Sequence, residues 1–293
     1  MADTPTIAQK IKRIDKVTYF REQSIKRVVE HDAVLTEQPL QINLLWYKED
    51  LSTVSKVFAI TMRSVGDDSL LILGLLFSEG VIKRVNDIVS IFADNSTESQ
   101  PGNSWQVQLI EGIEPNLTSI ERFQTTYSSC GLCGATSLKA LELKAPANLL
   151  QFTKGLKFNI DFIYKLAKKM CVQQQLFSLT GGAHSAALFN QTAQLLTIHE
   201  DIGRHNAVDK LIGHGLREDT LPANNQLLVM LVSGRVSFEI VQKAVMAGIS
   251  ILVSVGAPSD LAIKAAQRFE LTLIGFLKEN SFNLYHGDWR IKA

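Results

Sequence analysis

Cysteine is scarce: Cys130, Cys133 and Cys171 are the only three in 293 residues. A count that low, and odd, excludes a disulfide framework built from several bridged loops. Long hydrophobic runs are missing too. LLILGLLF (70–77) and LLVMLV (227–232) fall far short of the roughly 20 apolar residues that span a bilayer. Neither charge sign is in excess, with 30 Lys and Arg against 29 Asp and Glu. The basic residues are scattered, so there is no field for nucleic acid, and any acidic partner must be met by a local site. The N-terminal MADTPTIAQKIKRIDKV has no apolar core and no small-residue cleavage site, which argues against a secretory signal. Together these absences predict a cytoplasmic protein that engages neither membrane nor nucleic acid.

What is present divides into two rhythms. Before residue 125, KVTYF, SIKRVV, LQINLLWY and KVFAITM carry the β-branched and aromatic enrichment of strands. DDSLLILGLLFSEGVI predicts one strong helix, capped by Asp67 or Asp68. Further on, NIDFIYKLAKKMCVQQQLF has helical apolar spacing and a hairpin follows; Cys171, within that helix, is expected to be buried because free cysteine usually is. The remainder alternates apolar strands with amphipathic helices, predicting a sheet that is at least partly parallel with helices packed on it. The change of rhythm puts a boundary between 125 and 155.

The strand ends carry the punctuation of a ligand rim. LVSGRVSFE places Ser233, Gly234 and Arg235 before a helix that Ser237 can cap. SVGAPSDLA supplies Gly256, with Ser259 or Asp260 as cap, and HEDIGRHNAVDK puts Asp201, Arg204 and His205 at a third junction. Glycines admit a ligand to the backbone, helix N-termini favour anions, and arginine offers a fork for phosphate. Ordinary turns use the same residues, and His205 with Asp209 has the spacing of a common helix-surface pair. His184, after TGGA, reads as a structural histidine.

YSSCGLCGATSLKAL (127–141) holds Cys130 and Cys133 as C-x-x-C. Structural zinc needs four ligands and only one such pair exists, so a zinc site would have to be a mixed one that recruits His184 or His205; zinc deaminases need H-x-E and P-C-x-x-C, and both are missing. A dithiol oxidoreductase fits the spacing and the helix that follows. A sulfur carrier fits as well, since Gly131 and Gly134 provide mobility and the small neighbours leave the thiols uncrowded. The residues alone leave these two open.

SSCGLCG, TGGAHSAALF, HEDIGRHNAVDKLIG, SGRVSFEIVQKAVMAGI and APSDLAIKAAQRFELTLIGF, in that order, closely resemble the FdhD-type formate dehydrogenase accessory sulfurtransferases. With MRSVGDDSLLILGLLFSEGVI, the resemblance covers roughly residues 55 to 290. It implies a sulfur carrier that accepts persulfide sulfur from a cysteine desulfurase. The sulfur would pass to the molybdenum cofactor, in its bis(molybdopterin guanine dinucleotide) form, before formate dehydrogenase receives it. The cofactor is then a bound substrate, and no resident metal is implied. The resemblance makes Cys130 the persulfide carrier and Cys133 its support.

The resemblance also implies an α/β fold, with a C-terminal three-layer α/β/α domain similar to the cytidine deaminase fold (138–293). A smaller β-rich α+β domain (1–127) precedes it, and a mobile loop (128–137) lies at the junction. Cofactor binding is implied for Phe276, Leu277, Lys278, Glu279, Asn280 and Ser281, to which the rim reading adds Gly234, Arg235, Gly256, Arg204 and His205. Relatives often carry arginine where this chain has Lys278 and Ser281, so the bidentate contact there is lost. LQINLLWYKED lacks the Asn-Gly turn usual in relatives. A homodimer is compatible with this reading. Two rivals remain: a cofactor-binding chaperone that moves no sulfur, and a dithiol oxidoreductase.

Overall fold

The structure, a computed structural model, describes residues 6–21, 25–48, 50, 52–94, 102–115, 155–223 and 226–292. A helical turn α1 (Ile7–Lys10) leads into an antiparallel ribbon of β1 (Ile11–Arg21) and β2 (Ile25–Leu35). Next come β3 (Glu37–Tyr47), β4 (Thr53–Ser64), β5 (Ile88–Ala93) and β6 (Ser104–Leu109). They form a sheet in the order β4-β3-β6-β5, with β3 and β6 parallel and the other pairs antiparallel. Side-chain alternation turns Leu40, Ile42, Leu44 and Trp46 of β3, and Trp105, Val107 and Leu109 of β6, into one buried face.

The second half begins with β7 (Phe158–Asn159), α3 (Ile160–Gln173) and α4 (Gln175–Thr180). The hairpin β8 (His184–Phe189) and β9 (Leu195–Asp201) leads to α5 (Arg204–Arg217). Then β10 (Val229–Val232), α6 (Phe238–Met246), β11 (Ile251–Ser254), α7 (Asp260–Arg268) and β12 (Thr272–Gly275) alternate. The chain closes with β13 (Asn283–His286) and β14 (Ile291–Lys292). The large sheet runs β13-β12-β11-β10-β8-β9. β10, β11 and β12 are parallel, as the strand–helix alternation predicts, while β8, β9 and β13 pair antiparallel at the flanks. Helices cover both faces: α3 packs Ile163, Leu166 and Met170 on one, and residues of α5, α6 and α7 belong to the core on the other.

α2 (Asp68–Ser78) joins the halves. Every residue from Leu70 to Ser78 is buried, as suits a helix apolar all round. One continuous core runs from the four-stranded sheet through α2 to α5 and the large sheet. α2 and α5 cross in backbone contact: a Cβ on Gly74 would lie 1.9 Å from the Asp209 carbonyl oxygen, and one on Gly213 would lie 2.0 Å from that of Leu70. Only glycine admits that approach. Among the described residues, no helix is long and apolar enough to cross a membrane.

Two sequence expectations need correction. Cys171 is exposed rather than buried. Ile163, Leu166 and Met170 take the inward stripe of α3, and one residue past Met170 the helix has turned about 100° away. Asp67 does hold the N-cap position of α2 but makes no capping bond. Its backbone is left-handed (φ 58°), and its carboxylate lies 3.2 Å from Lys10 Nζ.

Candidate functional site

The parallel strands β10, β11 and β12 end on one rim of the large sheet. Because β8 runs antiparallel to β10 and β9 antiparallel to β8, the start of β8 and the end of β9 share that rim. His184, Asp201, Gly234, Gly256 and the segment after Gly275 are therefore brought to one edge, where open α/β sheets bind ligands.

Its frame is a set of short side-chain braces. The buried Ser254 hydroxyl donates to the Gly234 carbonyl at 2.7 Å and accepts from the Gly256 N–H at 2.9 Å. The two loops approach so closely that a Cβ on Gly256 would lie 2.9 Å from the Arg235 nitrogen. Any side chain at Gly256 would separate them. Val236 and Pro258 complete the pairing as an isolated parallel bridge. Ser185 donates its N–H to Ser233 Oγ at 2.9 Å and ties β8 into the same frame.

Phe276–Ser281 follows directly from β12. The Phe276 N–H donates to the Gly256 carbonyl at 3.1 Å, so this segment and the β11 loop share one edge. Phe276 has φ 53° and is half-exposed, and Lys278, Glu279, Asn280 and Ser281 face solvent. Leu277 turns into the core, which makes it the anchor of the segment rather than part of its exposed surface.

Arg204 and His205 open α5 beside the Gly234 loop. His205 Nε2 lies 3.1 Å from Ser237 Oγ. Ser237 sits at the N-cap of α6 but makes no capping bond, contrary to expectation; its hydroxyl pairs with His205 instead. Ser259 does cap α7, accepting from the Ala262 N–H at 3.2 Å. Burial, with Lys243 and Arg204 nearby, lowers His205 to about 4 against the pull of Glu239, so its imidazole is neutral at neutral pH.

Asp201 is not a rim ligand. It is fully buried, and its two oxygens take four donors: the Ser64 N–H (3.1 Å), Lys210 Nζ (2.7 Å), the Gly203 N–H (2.8 Å) and Asn206 Nδ2 (3.1 Å). Asn206 also donates to the Met62 carbonyl at 2.7 Å, and Lys210 to that of Ser64 at 3.1 Å. HEDIGRHNAVDK thus does two jobs: Asp201, Asn206 and Lys210 clamp the rim to β4, while Arg204 and His205 stay at the edge. Asp209 faces α6 instead of pairing with His205 and lies 2.7 Å from Lys243, with burial pushing it up to about 6.

Cys130 and Cys133 lie outside the described residues, as does the 128–137 loop. Among the described residues, no group of three His, Cys, Asp or Glu side chains could hold a metal ion. Sequence reasoning took His184 as structural, whereas it lies at the rim beside Gly234, where a Cβ would stand 3.3 Å from its Nδ1. Nothing local to TGGAHSAALF signals this, because it depends on β8 pairing beside β10.

The comparisons with known proteins agree with one another. The sequence model of the FdhD/NarQ family matches residues 35–292. Sulfur carrier protein FdhD of Sulfurisphaera tokodaii is 39% identical, over 93% of this chain and 97% of the relative. The protein of the same name from Streptomyces avermitilis is 40% identical over 94% of each. A crystal structure described as a formate dehydrogenase accessory protein from Desulfotalea psychrophila superposes with a TM-score of 0.65. It spans 96% of this chain and 99% of that one at 23% identity, which speaks for the fold alone. With a family match across most of its length and such relatives end to end, this chain belongs to the FdhD/NarQ family.

Proposed function

We propose that this protein is a sulfur carrier in formate dehydrogenase maturation, taking sulfur from a cysteine desulfurase and passing it to the molybdenum cofactor. Full-length similarity to proteins named as sulfur carriers is the observation that carries the reading. In the first step the Cys130 thiolate attacks the outer sulfur of the donor's persulfide. The donor's S–S bond breaks, its thiolate leaves, and Cys130 holds the sulfane sulfur. Attack by Cys133 on the Cys130 sulfur would then expel the outer sulfur as sulfide and leave a Cys130–Cys133 disulfide, which balances the electrons.

The substrate is the bis(molybdopterin guanine dinucleotide) cofactor, a polyanion carrying guanine and diphosphate groups. The rim suits such a group. Gly234 and Gly256 let the two loops pack against each other at the rim, Arg204 and Arg235 supply cationic forks, and Phe276–Ser281 lines the adjoining edge. The protein would act in the cytoplasm, where desulfurase and apoenzyme meet. The test is intact-protein mass after incubation with a cysteine desulfurase and cysteine. One added, reductant-labile sulfur on wild type and none on Cys130→Ala is the expected result. No added sulfur on wild type, with the desulfurase itself persulfidated, would leave a cofactor chaperone as the better reading.

A further inference from the structure

β1 and β2 form an arm that belongs to neither larger sheet. Each strand has 11 residues, which makes the ribbon about 36 Å long at strand rise. Among the described residues no third strand joins it, and neither strand enters the two buried apolar clusters. Its base is held: Lys10 pairs with Asp67 at 3.2 Å, the Thr36 N–H donates to the Lys10 carbonyl at 2.9 Å, and β2 touches α4. The distal half has no such support. A two-stranded ribbon is marginal in water, and a free strand edge is a template for another chain. This half nevertheless exposes large apolar groups: Ile25 is 77% exposed, Tyr19 66% and Val29 56%, with Val17 and Phe20 half-exposed.

Charge selects the occupant. Every anion of the two strands already has a partner: Asp15 meets His31 at 2.7 Å, Asp32 meets Lys16 at 3.2 Å, and Glu30 accepts from Thr18 at 3.2 Å. Among the described residues Lys12, Arg13, Lys26 and Arg27 have no ion pair, and Lys26 and Arg27 are exposed in the distal half. The register sets Arg27 opposite Tyr19 on one face and Lys26 opposite Phe20 on the other. From Ile25 to Val29, β2 reads apolar, basic, basic, apolar, apolar. An antiparallel complement reads apolar, apolar, acidic, acidic, apolar. We propose that the distal edge of β2 docks an extended acidic segment of a partner protein as a third strand. Main-chain hydrogen bonds hold the segment, its carboxylates meet Lys26 and Arg27 on opposite faces, and its apolar side chains cover Ile25 and Val29. This docking depends on neither the rim nor the cysteines.

The test is fluorescence anisotropy of the full chain with a labelled, capped peptide containing Val-Val-Glu-Glu-Val. One control replaces both glutamates by lysine. The other is the acidic peptide N-methylated at alternate residues, which cannot complete a ladder. The acidic peptide should bind, less tightly as salt rises, and both controls should lose most of the affinity. The K26E/R27E double variant changes two exposed side chains and should weaken binding by about 10-fold, with an unfolding midpoint matching wild type. No binding of the acidic peptide to wild type would overturn the assignment outright. Equal affinity for the lysine peptide would overturn the acidic partner. Undiminished binding of the N-methylated peptide, or unchanged affinity in K26E/R27E, would overturn strand addition at this edge. A concentration-dependent dimer in sedimentation velocity that dissociates in V29D would give the arm to a second copy of the chain and overturn it as well.

Discussion

Lys210 Nζ stands 2.7 Å from Asp201 Oδ2, and neither side chain reaches solvent. The pair ties the start of α5 to the end of β4, because the same two groups also bond the backbone of Ser64. Removing one partner strands the other charge in the core, at a cost of roughly 3–5 kcal/mol. Asp201→Ala and Lys210→Met are each expected to lose stability in that range by urea unfolding. The double variant should lose clearly less than the sum, since it leaves no orphaned charge. Strict additivity would mean that the two groups are independently solvated.

The crossing of α2 and α5 makes an equally direct prediction. In an exposed helix, Gly→Ala gains up to about 1 kcal/mol of propensity. At Gly213 the new methyl would meet the Leu70 carbonyl at 2.0 Å, so the helices must part. Gly213→Ala should therefore lose about 1–3 kcal/mol or more despite the better helix former. Chemical denaturation measures it, and stability at or above wild type would refute the tight crossing.

The same residues show what the sequence could and could not reveal. Strands and helices were legible because their signals are local: alternation in β3, apolar spacing in α3, a serine before α7. The rim was legible in outline for the same reason, through Gly234, Arg235 and Gly256. The partition within HEDIGRHNAVDK was not. Asp201, Asn206 and Lys210 are clamped because β4 ends beside them, and Met62 and Ser64 lie over 130 residues earlier in the chain. Cys171 was misplaced because free cysteine is usually buried, whereas the inward stripe of α3 is filled by Ile163, Leu166 and Met170. His184 depended on sheet order, which no single segment encodes.

His205 sets a pH dependence. Its ordinary value is 6.5, and burial with Lys243 and Arg204 lowers it to about 4 in the fold. Between those values the unfolded chain binds a proton that the native state refuses. The contribution is full above pH 6.5 and is lost as pH falls towards 4, with a slope of up to about 1.4 kcal/mol per pH unit. His199 is lowered to about 4 with burial again the first cause, and adds in the same direction. His205→Gln should flatten the unfolding free energy across this window. An unchanged slope would assign the effect to other groups.

Exposure of Cys171 bears on every sulfur measurement. It lies on the outer side of α3 beside Val172, which is 74% exposed, so reagent reaches it in the native state. A thiol's reactivity follows its thiolate fraction as well as its access. A maleimide should therefore label Cys171 in the folded protein, and Cys171→Ser should remove one adduct without loss of stability. In the same variant, persulfide loading by a desulfurase should persist in full, because the proposed carrier is Cys130. Loading that disappears with Cys171→Ser and survives Cys130→Ala would move the sulfur from the C-x-x-C to the surface of α3, and the proposed route would fail. Mass spectrometry of the two single variants and their double, before and after reductant, separates these outcomes.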